Sequence, residues 1–338
     1  MTRTKSYEGV KPFVVIFFAL LLLGASSCGY VLLSFMGFGG FTPGQCVRSL
    51  RSPYHFLAVR QCVWFGDRVL PHLRTEFQNY EDLRGSPSQD VALILGSIKS
   101  ASALNELKTL YSRTATHQKL IGALGLIIQG QWTEPLDERS FLIQCLRSND
   151  TRGLAIIALG VSGKKEAVPY LAEELLKIKN PPPLEELLKQ NPPPPGSTDN
   201  EAYRTQAILE TFSNPAYGNY GIQALLAEAL GNLEDQRAIP ALEERMRDPN
   251  FYAIPEAFRA LIVLGEREAV PLAVARISPE IQGRNSGLIV EALSQVTGQH
   301  FGFDRQRWEA WWRANKDSWQ IPVRVQKQFK SEYPLLGY

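Results

Sequence analysis

The sequence predicts an all-α fold: a solenoid of antiparallel helix pairs following one N-terminal transmembrane helix. Three observations carry that expectation. The stretch from Tyr220 to Ile277 reads as helix, turn, helix twice over, and Leu230 and Leu264, at matching turns, lie 34 residues apart, a period that marks a repeat array. Within the helices apolar residues recur at steps of three and four, as in Leu154, Ile157, Ala158 and Val161, which is the stripe a stacked helix must bury. Near the N-terminus, Phe13 to Met36 runs 24 residues without a formal charge, long enough to cross a hydrocarbon core, for which about 20 apolar residues suffice.

The 338 residues allow two ordinary domains or one elongated array, and the repeat favours the array. Lys plus Arg number 36 against 34 for Asp plus Glu. Arg3, Lys5 and Lys11 against Glu8 account for the whole surplus, so the remainder is neutral and lacks the electrostatic footprint of a nucleic-acid binder.

Residues 1–12 form a basic tail and 13–36 the span. A second reading of this end stays open. The basic tail, the apolar run to Leu23 and then Ala25-Ser26-Ser27-Cys28 look like a bacterial lipobox, with Cys28 as the lipidated residue. Both readings tether the chain to a membrane. A short basic N-terminus before a long soluble part resembles a signal anchor, which places the repeats outside the cytoplasm. Lys and Arg are comparable on the two flanks, so charge alone does not fix orientation. Residues 37–52 read as a linker, with four glycines and a proline between Gly37 and Gly44. Cys46 and Cys62, 16 residues apart, are a candidate disulfide if this region lies outside the cytoplasm, or else two small core residues. Four cysteines in all are too few for a disulfide framework.

Helix pairs then follow over 53–178: Pro53–Trp64 with Val69–Phe77, Ser88–Gly96 with Ala101–Tyr111, Gln118–Gln129 with Arg139–Leu146, and Thr151–Gly160 with Glu166–Ile178. Pro71, Pro169, Pro240 and Pro271 each fall in a first turn, where an amide has no intrahelical acceptor to lose. Residues 179–200 interrupt the array, because eight of the residues from Pro181 to Gly196 are proline or glycine and cannot continue a helix. This insertion is either a solvated loop or a docking element built around Pro192 and Pro193. Over 201–296 helix resumes at Ala202–Phe212. A loop bearing Tyr217 and Tyr220 follows, then the pairs of the opening stretch, then Asn285–Val296.

Two motifs repeat. Ala158-Leu159-Gly160, Ala229-Leu230-Gly231 and Val263-Leu264-Gly265 close first helices, and Ala167-Val168-Pro169, Ala238-Ile239-Pro240 and Ala269-Val270-Pro271 open second ones. With the period near 34, these resemble HEAT repeats, in particular the short bacterial HEAT-like type first associated with phycobilin lyases, over roughly Pro53 to Val296. The resemblance implies a right-handed α-solenoid that serves as a platform for other proteins. Residues 297–338 read as a cap and tail. Thr297-Gly298-Gln299-His300-Phe301-Gly302-Phe303-Asp304 followed by Trp308, Trp311 and Trp312 resembles the ending of many bacterial HEAT-repeat proteins, with Asp304 as the N-cap. The three tryptophans share a helix face and either cover the last apolar stripe or form an aromatic docking patch.

The sequence offers no catalytic constellation. It contains no HExxH, CxxC, GxxxxGK[ST] or GxGxxG. Cys46, His55, Cys62 and His72 are spaced by nine, seven and ten, which matches no common zinc pattern. Gly160-Val161-Ser162-Gly163 has the wrong spacing for a nucleophile elbow. Adjacent glutamates such as Glu173-Glu174 point about 100° apart on a helix and do not converge on one atom. The expectation is therefore a non-catalytic scaffold or adaptor in a bacterial inner membrane, binding protein partners, with no cofactor, no metal, no nucleic acid and no small-molecule substrate. The alternatives are an accessory subunit that uses its span as an interface, and an enzyme of the bilin lyase type, which rests on the family association alone.

Overall fold

A computed structural model describes residues 42–52, 55–81, 83, 86–178, 189, 220–248, 251–277 and 284–332. The chain divides into two compact units, Met1–Asp82 and Leu83–Tyr338. The first helix pair expected of the array thus belongs to a separate small unit rather than to the repeat stack.

In the first unit α1 (Pro43–Ser49), α2 (His55–Phe65) and α3 (Leu70–Glu76) pack together. α1 corrects the expectation of a linker over 37–52. Thr42 accepts from the Gln45 amide while the Gln45 side chain accepts from the Thr42 amide, a capping box with Pro43 in the first turn. The helix it starts buries Cys46 and Val47. Residues 37–41 of that expected linker lie outside the described residues; from Thr42 on, a cap and two buried side chains hold a helix.

In the second unit the helices alternate between two layers. One layer holds α4 (Ser86–Ser97), α6 (Thr116–Ile128), α8 (Arg152–Val161), α10 (Tyr220–Asn232), α12 (Ile254–Val263) and α14 (Arg284–Thr297). The other holds α5 (Ala101–Tyr111), α7 (Phe141–Leu146), α9 (Val168–Lys177), α11 (Ile239–Arg247), α13 (Ala269–Val274) and α15 (Arg305–Asn315). Neighbours within a layer stack, as α4 on α6 and α10 on α12, and partners across layers pack, as α5 with α6 and α11 with α12. α8 packs directly on α10 although residues 162–219 separate them in sequence. The described elements are all helical.

The repeated motifs have a local cause. Lys165–Ala167 and Gln236–Ala238 are short 3-10 turns, each followed by a helix with proline in its first turn. Arg237 joins these equivalent turns by donating from Nη2 to the Lys165 carbonyl at 2.9 Å. α6 is buried on nearly every side from Leu120 to Ile127. It approaches α5 closely because Gly122 lacks a side chain: a Cβ there would lie 2.5 Å from the Tyr111 amide nitrogen.

Arginines close the helix ends. The last carbonyls of a helix have no intrahelical donor. Here Arg245 donates to the Leu175 and Leu176 carbonyls at the end of α9 and also to the Ile178 carbonyl. Arg276 reaches Asp248 O at 3.1 Å beyond α11, Arg305 reaches Ala275 O at 3.5 Å beyond α13, and Arg152 reaches Leu146 O at 3.2 Å at the end of α7. Each link runs from one repeat back to the one before.

A last helix, α16 (Val323–Glu332), was expected only as tail. It folds back onto α12, with Val325 and Phe329 buried and Gln326 Nε2 donating to the Ile262 carbonyl at 3.2 Å. This covers the remaining face of α12, whose residues Ile254–Ile262 are all buried.

Candidate functional site

The most unusual chemistry in the described residues lies where α10, α12 and α16 meet. α10 and α12 cross closely at Gly231, where a Cβ would stand 3.0 Å from Ala260 Cα. One turn earlier on each helix is a carboxyl, Glu228 on α10 and Glu256 on α12, with Arg259 beside them. Glu256 and Arg259 are 8% and 7% exposed, a degree of burial that charged side chains reach only when their environment compensates. Phe329 of α16 closes the site, with the Arg259 guanidinium 5.5 Å from its ring centroid, and Lys330 forms an ion pair with Glu234 at the rim.

Burial pushes the Glu228 carboxyl up to about 7; the negative charge of Glu256 adds to that rise and Arg259 opposes it. Glu228 therefore changes charge near neutral pH within a packed interface. The cleft holds about 20 Å3 of free volume, room for one water rather than a substrate. The arrangement can store or release a proton and alter how firmly α16 is held, but it has no space for a reacting molecule. Sequence reading missed it. Its only signal was the placing of Glu256 and Arg259 inside an otherwise apolar helix, and their convergence with Glu228 and Phe329 needs the tertiary fold.

The tryptophans predicted at the C-terminal end are divided by the structure. Trp308 is wholly buried, with Nε1 donating to the Gly302 carbonyl at 2.8 Å and Phe301 edge-on at 5.0 Å. It is a core residue of the cap, so of the two readings it takes the covering one and not the docking one. Trp312 is 8% exposed and Trp311 half-buried, and both pack against Trp319, at 5.8 and 5.9 Å between ring centroids. Trp319, which sequence reading did not single out, completes this cluster. Beside it α13 and α15 frame an open groove of about 420 Å3 lined by Pro271, Val274, Arg305, Trp312 and Arg313.

A second aromatic group pins the irregular segment between α6 and α7. Tyr111 donates to the Glu134 carboxylate and Lys164 to the Glu134 carbonyl. Lys119 Nζ stands 4.5 Å from the Phe141 ring centroid and 5.0 Å from that of Tyr111. Burial, and then the Glu134 carboxylate, push the Tyr111 hydroxyl well above its ordinary range.

Cys46 and Cys62 are wholly buried thiols that are not joined in a disulfide. Cys46 Sγ donates to Gln61 Oε1 at 3.3 Å, and burial pushes its pKa up to about 11, which leaves little thiolate for oxidation. Among the described residues no group of three or more His, Cys, Asp or Glu side chains is placed to hold a metal ion, and no helix is long and apolar enough to cross a membrane. The apolar segment 13–36, Cys28, Pro192, Pro193, Tyr217 and the side chain of Tyr220 lie outside the described residues.

Residues 222–248 match the family model described as the PBS lyase HEAT-like repeat. The matched residues include most of α10, the 3-10 turn and α11, nearly one pair of the stack, and they support a HEAT-like helical-repeat architecture. No curated protein and no solved structure matches the chain.

Proposed function

We propose that this protein is a membrane-tethered scaffold on which other proteins assemble, without catalysis of its own. The observation that carries the reading is the continuity of the stack: α8 packs on α10 although the insertion at 179–200 lies between them in sequence. An array linked repeat to repeat by apolar faces and arginine caps makes an extended frame, and such frames serve as binding surfaces. The tether is the uncharged segment 13–36, with the repeats outside the cytoplasm of a bacterial cell, and the natural setting is a membrane complex in which the span is a further contact.

Cross-linking with mass spectrometry in intact membranes tests this. Reproducible cross-links from lysines of the second unit to other proteins are expected. Recovery of the chain without partners, or a turnover that depends on a side chain of the second unit, would overturn it. A visible absorption band from co-purified pigment would move the assignment to the bilin lyase type.

A further inference from the structure

The first unit carries the most exposed large apolar side chain recorded among the described residues. Trp64 on α2 is 76% exposed and Phe56, two turns earlier, 43%. Arg60 lies between them, so the three occupy i, i+4 and i+8 of one helix face. The opposite face of α2, Ala58, Val59 and Cys62, is buried. Exposed tryptophan and phenylalanine flanking an arginine suit a boundary where one side is apolar and the other wet and charged.

The chain itself restricts what can meet this face. The apolar segment ends at Met36, and only residues 37–41 separate it from Thr42, the cap of α1. A chain spans at most about 3.6 Å per residue, so α1 starts within roughly 20 Å of wherever that segment leaves the bilayer. Between residues 42 and 82 five arginines stand against four acidic residues, and one of the arginines, Arg60, sits on the exposed face itself, where it suits an anionic lipid surface.

We infer that the outward face of α2, formed by Phe56, Arg60 and Trp64, lies in the headgroup layer of the anionic bilayer that anchors the chain. This rests on the proposed membrane tether. It holds the first unit flat against the membrane as a plinth, in place of a loose linker. The occupant is lipid rather than a protein, because the tether brings lipid within reach in every copy of the chain.

The test uses the full chain. An alkaline wash of native membranes checks the tether by itself, and retention in the pellet is expected. The purified chain is then reconstituted into phosphatidylcholine–phosphatidylglycerol nanodiscs, with and without brominated acyl chains, alongside a Trp64→Phe variant of unchanged helical circular dichroism. The emission that disappears on Trp64→Phe is the Trp64 signal, and it is expected to lose roughly half or more of its intensity in brominated discs. A Trp64 signal insensitive to bromine in a chain that resists alkali overturns the inference and leaves the tether standing. The same holds if Trp64 is shielded from aqueous quencher without responding to bromine, the signature of a protein covering it. Release of the chain by alkali overturns tether and inference together.

Discussion

The guanidinium of Arg245 donates through both Nε and Nη2 to the carbonyl oxygen of Leu175, at 2.9 and 2.6 Å. The two residues belong to successive repeats separated by the insertion, and Arg245 is only 7% exposed. One side chain thus satisfies the orphan carbonyls of α9 and fixes the position of α11 against it.

Replacing Arg245 by leucine should leave those carbonyls buried without a donor, a loss of about 2–4 kcal/mol. Thermal unfolding followed by circular dichroism should shift down by roughly 5–15 °C. Arg245→Lys should recover less than half of that, because a compact ammonium cannot span three carbonyls. Equal melting of Arg245→Leu and the parent would show that the cap contributes nothing to stability.

The Glu228 carboxyl gives a pH dependence of definite sign. Its ordinary value is 4.5, and the fold raises it to about 7. Between those values the folded chain holds a proton that the unfolded chain has released, so this group's contribution to stability is complete below 4.5 and falls away as pH rises through 7. Glu228→Gln should therefore flatten the decline in melting temperature between about pH 5 and pH 8, and melt a few degrees above the parent at the upper end. A steeper decline in the variant would show that the charge of Glu228 is stabilising.

Two glycines should respond differently to alanine. At Gly122 a Cβ would meet backbone of α5 at 2.5 and 2.8 Å. The two helices would have to separate, at a cost of about 2–3 kcal/mol. At Gly163 nothing lies within 4 Å, but φ is +67°, so alanine brings only left-handed strain of about 1–2 kcal/mol. Urea midpoints should therefore fall further for Gly122→Ala.

Trp308→Ala removes a wholly buried indole and should cost about 3–5 kcal/mol. Trp308→Phe, which keeps most of the ring but loses the bond to Gly302, should cost about 1–2 kcal/mol. Binding of any partner should be no more affected by these changes than stability is; a selective loss of binding at full stability would return Trp308 to a recognition role.

Phe329→Ala should loosen α16 alone. Limited proteolysis is expected to cut between Pro322 and Glu332 several-fold faster, while the core of the stack stays resistant. Unchanged cleavage would mean that Gln326 and Lys330 suffice to hold the helix.

How much of this was legible beforehand differs from element to element. α5 and α15 stand where the sequence places them, at Ala101–Tyr111 and Arg305–Asn315: apolar spacing marks both, Asp304 caps the second as expected, and the structure adds Ser100 as the cap of the first. α1 was hidden among glycines, and α16 was hidden because its polar composition reads as tail. Both are decided by what they pack against. The arginine caps and the Glu228 site were illegible for a related reason: a carbonyl at a helix end and the guanidinium that meets it are as much as 70 residues apart, and no local pattern joins them.

By itself the sequence determined the all-α class, the period of the array and the apolar stripes, since helix periodicity and turn chemistry act over a few residues. The tertiary structure alone decided the division at Asp82, the return of α16 over α12, the burial of Trp308 and the meeting of Glu228 with Glu256 and Arg259. These depend on which faces touch, and contact between distant segments sets burial, dielectric and charge in ways that local spacing does not encode.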